Sequence, residues 1–115
     1  MNIEEIRSFC LNKKGVTEGF PFDDTTLVFK VAGKIFALVN LKDSKSINLK
    51  CDPDKALELR EHHSSVIPGY HMNKIHWNTI ILDETIPDQL LREWIIDSYM
   101  LIVDKLPTKL KQDLH

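Results

Sequence analysis

The chain is short of most features that announce a specialised protein. It has only two cysteines, Cys10 and Cys51, in 115 residues, and no CxxC pair. Two widely spaced cysteines build no disulfide framework. Cys10 falls on a helical apolar pattern and Cys51 closes a strand pattern, so both read as small core residues. Apolar runs extend only a few residues, too short to span a bilayer. The acidic start Met1-Asn2-Ile3-Glu4-Glu5 lacks the continuous apolar stretch of a signal peptide, so a cytoplasmic location is expected, with no membrane partner. The four glycines, Gly15, Gly19, Gly33 and Gly69, are scattered and fit no phosphate loop. No G-x-S-x-G elbow surrounds Ser98, which argues against a nucleophilic serine. A surplus of positive charge is missing too: 15 Lys and Arg face 17 Asp and Glu, a formal net charge of −2. Any nucleic-acid binding therefore needs a local patch rather than a bulk field.

What remains is ordinary globular composition, 43% hydrophobic and 28% charged. The length suffices to bury one core without disulfides or metal, and residues 1–115 read as a single domain. Asn2 with Glu5 makes a capping box, and Ile3, Ile6, Phe9 and Cys10 recur at helical spacing, so residues 3–13 predict a helix stopped by Gly15. Residues 17–25 hold Pro21 and Asp23-Asp24 and read mostly as loop. From Thr26 the period becomes two. Leu27, Phe29 and Val31 alternate with Val28 and Lys30; after the Ala32-Gly33 turn, Ile35, Ala37 and Val39 alternate with Phe36 and Leu38. This hairpin is apolar on both faces, which predicts helices over one face and partial cover on the other. A polar turn at 42–45 leads to a third strand, Ser46 to Lys50.

Asp52-Pro53 predicts a helix start that runs to His62-His63. Trp77 to Leu82 is the next strand. Residues 87–106 predict the longest helix, about 30 Å at 1.5 Å per residue. Leu91, Trp94, Ile95, Ser98, Leu101, Ile102 and Leu106 form its apolar stripe, with Ile96 and Val103 flanking it and Met100 outside. The order α-β-β-β-α-β(β)-α, with short strand connections, predicts an α+β two-layer sandwich: an antiparallel sheet with helices on one face.

The chemistry-bearing clusters are few. His62, His63, His71 and His76 invite a metal, but only His71 and His76 have ligand-like spacing and no second pair accompanies them, so no metal site is assigned. Asp23-Asp24 reads as a solvated turn with Asx bonds to its own backbone. The richest stretch runs from Pro68 to Asn78. It gathers Tyr70, His71, Asn73, Lys74, His76 and Trp77, the aromatic, amide and cationic groups that base or phosphate contacts use.

The same stretch, Pro68-Gly69-Tyr70-His71-Met72-Asn73-Lys74 followed by His76-Trp77-Asn78-Thr79, resembles the signature of the MmcQ/YjbR family. Pro21-Phe22 with Asp24-Thr25, Phe29-Lys30-Val31 with Gly33-Lys34 and Phe36-Ala37-Leu38, and Ser98-Tyr99 with Leu101, Val103 and Lys105-Leu106-Pro107 extend the resemblance over almost the whole chain. Asp23 stands where Gly often follows Pro-Phe, and Ile35 where Met is common. The resemblance implies a small cytoplasmic bacterial domain, a CyaY-like α+β fold described as a DNA-binding "double wing". It brings no catalytic residues and no cofactor.

Two function classes follow. The first is DNA binding without catalysis. Lysines gather on strands and turns while Glu58, Glu61, Glu93, Asp97 and Asp104 fall on helices. Lys34, Lys45, Lys50 and Lys74 are then the phosphate contacts, and Tyr70, His71 and Asn73 the sugar or base contacts. Arg7, Arg60 and Arg92 all lie on predicted helices, so sequence-specific readout by the sheet is not expected. The second is a protein-interaction or chaperone-like module, open to dimerisation, using extra apolar residues of the long helix such as Ile96 and Met100. A small-molecule pocket around Tyr70, His71 and Trp77 ranks third, because no paired acid, base or nucleophile accompanies it.

Overall fold

The computed structural model describes residues 1–42, 45–70 and 72–114. Among these run α1 (Ile3–Leu11), β1 (Val16–Gly19), β2 (Thr26–Val31), β3 (Lys34–Asn40), β4 (Ser46–Lys50), α2 (Pro53–His62), β5 (Val66–Pro68), β6 (Trp77–Ile81), α3 (Asp88–Val103) and α4 (Thr108–Asp113). The strands form one six-stranded sheet in the order β1-β2-β3-β4-β6-β5, antiparallel at every junction. Helices pack on one face, giving the expected α+β architecture. The predicted turn at 42–45 includes Asp43 and Ser44, which lie outside the described residues.

Local chemistry accounts for most element ends. The Asn2 side chain accepts from the Glu5 amide at 2.8 Å, and the Glu5 carboxylate accepts from the Asn2 amide at 3.0 Å, completing the capping box. Asp52 caps α2 with Pro53 at its first position. Ala32 and Gly33 have φ of 51° and 77°, the positive values that a two-residue hairpin turn of type I′ needs.

Three expectations need correction. The segment read as loop begins with β1, whose single apolar residue gives no alternation to detect. It is held by pairing with β2 and by the Arg7–Glu18 bridge from α1, at 2.5 Å. A short α4 follows Pro107. The third correction concerns β3. Its register against β2 shifts at Phe29/Lys30, where Lys30 pairs with Ile35 and Phe29 with Ala37. This bulge sends both Phe36 and Ala37 to the helix side, whereas Ile35 and Leu38 belong to the other face. Strict alternation does not survive an extra residue. The Phe36 ring then meets Tyr99 edge-on, 5.5 Å between centroids, and Phe29 at 6.4 Å.

Helix α3 covers the middle of the sheet with Leu91, Trp94, Ile95, Ser98, Tyr99, Ile102 and Val103 buried. Val103, expected to flank the stripe, belongs to the core; Ile96 and Met100 stay exposed. Ser98 is fully buried. Its hydroxyl donates to the Phe36 carbonyl at 2.6 Å and accepts the Lys50 amide at 2.9 Å. Cys10 is buried in the core, which pushes its thiol up to about 12, whereas Cys51 is only half-buried. Among the described residues no helix is long and apolar enough to cross a membrane.

Replacing Ile95 by Ala is expected to cost about 2–5 kcal/mol in urea unfolding, because its side chain has no exposure and the site is walled by helix and sheet. Ser98→Ala is expected to cost about 1–3 kcal/mol, since it leaves a buried carbonyl and amide unpaired. A change within a few tenths at either site contradicts this packing.

Candidate functional site

The face away from the helices is covered only in part. Val28, Leu38 and Trp77 form a small second core there, with Ile35 and Met72 packed against it. The cover comes from the segment between β5 and β6, the same stretch that stands out in the sequence. Its polar residues mostly build the segment itself. Gly69 donates to the Trp77 carbonyl at 2.9 Å. A Cβ on Gly69 would sit 2.8 Å from Trp77 Cβ and 2.9 Å from that carbonyl oxygen, so the position has room only for glycine. Asn73 Oδ1 accepts the amides of Ile75 at 2.8 Å and His76 at 3.3 Å, forming an Asx turn. Asn78 is buried: its Oδ1 accepts Arg60 Nε at 2.7 Å, and its Nδ2 donates to the Ala56 carbonyl at 3.3 Å. The Arg60 guanidinium also donates to the Lys74 carbonyl. Helix α2 is thereby tied to the end of the segment and to the start of β6.

What the segment presents is a ring. Tyr70 and, from the loop before β2, Phe22 are each 66% exposed. Together with Leu38 and Met72 they line a groove of about 610 Å³ on the open face, in the size range of ligand sites. Its polar lining includes Thr26, Asn40, Asn48 and Lys42. Asp23 stands at its edge as the expected Asx turn, accepting the amides of Thr25 at 2.9 Å and Thr26 at 2.7 Å. The Thr25 amide foremost, helped by the Thr26 side chain and amide, holds the Asp23 carboxyl below its ordinary 3.8.

The sequence-predicted contacts divide among several places. Lys34 starts β3 and Lys50 ends β4, both toward the hairpin end of the sheet, and Lys105 follows α3. Desolvation first, then the charges of Lys105 and Lys34, push the Lys50 ammonium below its usual value. Lys45 lies just before β4, at the opposite end of a five-residue strand about 17 Å long. Lys74 sits in the turn before β6, beside α2. Tyr70 is on the groove, Asn73 has its carbonyl oxygen committed to the turn, and His71 lies outside the described residues. Among the histidines, His62 and His76 are exposed and His63 packs edge-on against Trp94 at 5.2 Å. No group of three or more metal-ligating side chains occurs among the described residues. Sequence reasoning missed that Phe22 lines the same groove as Tyr70, and that the amides Asn40 and Asn48 line it too. The outward position of Asn48 between Ile47 and Leu49 was the available signal.

A sheet covered by helices on one side, with a groove on the other, defines a small α+β domain. The chain matches the family model described as YjbR over residues 11–101. It is 34% identical over 108 residues to "Uncharacterized protein YjbR" of Escherichia coli K12, covering 93% of this chain and 92% of that one. It is 47% identical over 88 residues to "Uncharacterized protein YbdF" of Escherichia coli O157:H7, covering 76% and 72%. A crystal structure of a Deinococcus radiodurans protein with a DUF419 domain matches with a TM-score of 0.92 and 40% identity, over 98% of this chain and 87% of that one. The chain belongs to the YjbR family.

Gly69→Ala is expected to lower the melting temperature and perturb Trp77 fluorescence, because the new Cβ meets backbone that cannot step aside. An unchanged melting curve and spectrum would exclude this reading of the turn. The Asp23 turn has a defined pH dependence. Its folded-state value is depressed, so its stabilisation is full above the ordinary 3.8 and is lost as pH falls through the lower folded value. The Thr25 and Thr26 amide resonances should therefore titrate with a midpoint below 3.8, and Asp23→Asn should abolish that titration. A midpoint above 3.8 contradicts the turn.

Proposed function

We propose that this chain is a non-catalytic cytoplasmic binding domain that grips the phosphate backbone of DNA, with Lys34, Lys50 and Lys105 as its principal contacts. The observation that carries the reading is that the Lys50 ammonium lies within electrostatic reach of both Lys105 and Lys34 at the end of two interior strands. Among the described residues none of them has an ion pair. Lysines often protect exposed sheet edges, but β3 and β4 are interior strands and need no such protection. Like charges held near one another without a direct ion pair are repulsive, and a polyanion relieves that repulsion while releasing its counterions. The net charge of −2 does not oppose this, because the Debye length at physiological salt is about 8 Å and a local corner acts on its own.

The binding is weakly sequence-specific. Arg7 is spent on Glu18 and Arg60 on Asn78 and Lys74, so neither is available for bidentate base readout. A non-catalytic role fits the polar groups present: Ser98 is buried between two strands, and Asp83 is occupied by Ser65 and Thr85. A second reading, a protein-interaction module, is favoured by the exposed Ile96 and Met100 on α3.

Fluorescence anisotropy with a labelled duplex at several salt concentrations tests the first reading. Binding at low salt should fall steeply as salt rises. Reversing Lys34 and Lys50 to Glu should flatten the log–log slope by about two units, at about 0.9 per phosphate contact. Lys45→Glu, at the far end of β4, should change it much less. No binding at low salt, or binding indifferent to the Lys34 and Lys50 reversals, sinks the DNA reading and leaves the protein-interaction module.

A further inference from the structure

The groove on the open face has an unusual polar lining, and its hydrogen-bond directions decide what it accepts. The Tyr70 amide donates to Thr79 Oγ1 at 2.9 Å. The Thr79 hydroxyl must then send its own proton onward, and it does so to Asn48 Oδ1. Asn48 therefore has its oxygen engaged and its amide NH2 left to give. Asn40 is fixed in the same sense, because its Oδ1 accepts the Lys42 amide at 2.9 Å. Among the described residues neither side-chain NH2 has a partner. Thr26 donates its hydroxyl to Asp23 Oδ2 at 3.2 Å, so the carboxylate at the edge has its acceptors engaged while keeping its negative charge. The groove thus offers amide donors and the Lys42 ammonium, flanked by two rings that are two-thirds exposed.

That combination suits a flat group with acceptors on its edge and negative charge beside it. Phe22 and Tyr70 supply faces to stack on, Asn40 and Asn48 supply donors for carbonyls, and Lys42 supplies a phosphate contact. We infer that the groove seats an unstacked base of single-stranded nucleic acid. The inference rests on the phosphate-binding reading above and deepens it: the lysine corner and the groove occupy opposite ends of the same sheet, spanned by the seven residues of β3, about 23 Å. A duplex keeps its bases stacked and shows the groove only its backbone, whereas a single strand can hold its phosphates at the corner and offer a base to the rings.

The test uses the full chain with a fluorescein-labelled oligothymidylate and a duplex of equal length, read by anisotropy. Thymine is chosen for its two carbonyl acceptors. The single strand should bind more tightly than the duplex. Phe22→Ala and Tyr70→Ala should each weaken the single strand by roughly 5- to 150-fold, the loss of one stacked base, while the duplex affinity holds. Phe22→Tyr keeps a ring and should retain the affinity. Asn48→Asp still accepts from Thr79 but replaces the donor with a charged oxygen, so it should weaken the single strand without unfolding the domain. Both rings are exposed, and melting curves of the Ala variants should match the parent. Equal affinity for both forms, or single-strand binding indifferent to both ring deletions, overturns the inference. If duplex binding sensitive to Lys34 and Lys50 persists in that case, the phosphate-binding reading stands without it. If neither nucleic acid binds, both fall.

Discussion

The structure turns on one buried hydroxyl. The bulge in β3 brings Phe36 and Ala37 to the same side, and the Phe36 carbonyl then needs a partner inside the core. Ser98 gives its proton to that carbonyl and takes the amide of Lys50. One small side chain thereby fastens α3 to two central strands at their hairpin end. A larger residue would hold the helix away from the sheet, and alanine would leave two buried backbone groups without partners. The bulge and the serine depend on each other: the first places an aromatic ring under the helix, and the second removes the polar cost of doing so.

This junction also shapes the surface. Lys50 lies at the fastened end of β4, and Lys34 starts β3 next to it. The backbone of Lys50 is fixed by Ser98 while its side chain is partly desolvated beside two other ammonium groups. The opposite face has a different support. Trp77 and Met72 cover Val28 and Leu38, and Gly69, Asn73, Asn78 and Arg60 hold that cover in place. The most polar stretch of the chain is chiefly scaffold, and its exposed product is the ring of Tyr70 beside the groove.

Much of the fold was legible in the sequence because its signals are local. The Asn2–Glu5 box, the Asp52-Pro53 start, the Ala32-Gly33 turn and the stripe of α3 are each set by residues within a few positions of one another. The family resemblance rests on the same local runs. β1 was not legible: with one apolar residue, it is a strand only because β2 lies beside it. The bulge was invisible for a related reason, since an alternating apolar run looks the same whichever residue is extra. The sites fared worse. Lys34, Lys50 and Lys105 are brought together by strand pairing and a helix return, and Phe22 meets the same groove as Tyr70 from 48 positions away. Asn73 looked like a base contact because an amide in a loop has the right chemistry; its carbonyl oxygen is used by the turn that it makes.

Net charge is the least informative number for such a domain. Both signs occur on the helices, which carry Arg7, Lys55, Arg60 and Arg92 beside Glu58, Glu61, Glu93 and Asp97, so the sum says nothing about any one surface. Asp23 and Asp83 each spend acceptors on neighbours within their own turns or on Ser65, and these bonds hold both carboxyls below their ordinary value, in the charged form. The asparagines Asn40 and Asn48 have their oxygens engaged too, Asn40 by the Lys42 amide two residues on and Asn48 across the sheet by Thr79. Each step withdraws an acceptor and leaves a donor. The groove on the open face is consequently donor-rich, with Lys42 and the amides of Asn40 and Asn48 along it. Surfaces of that kind select ligands rich in acceptors, and the direction of each hydrogen bond, rather than the sum of charges, is what makes them so.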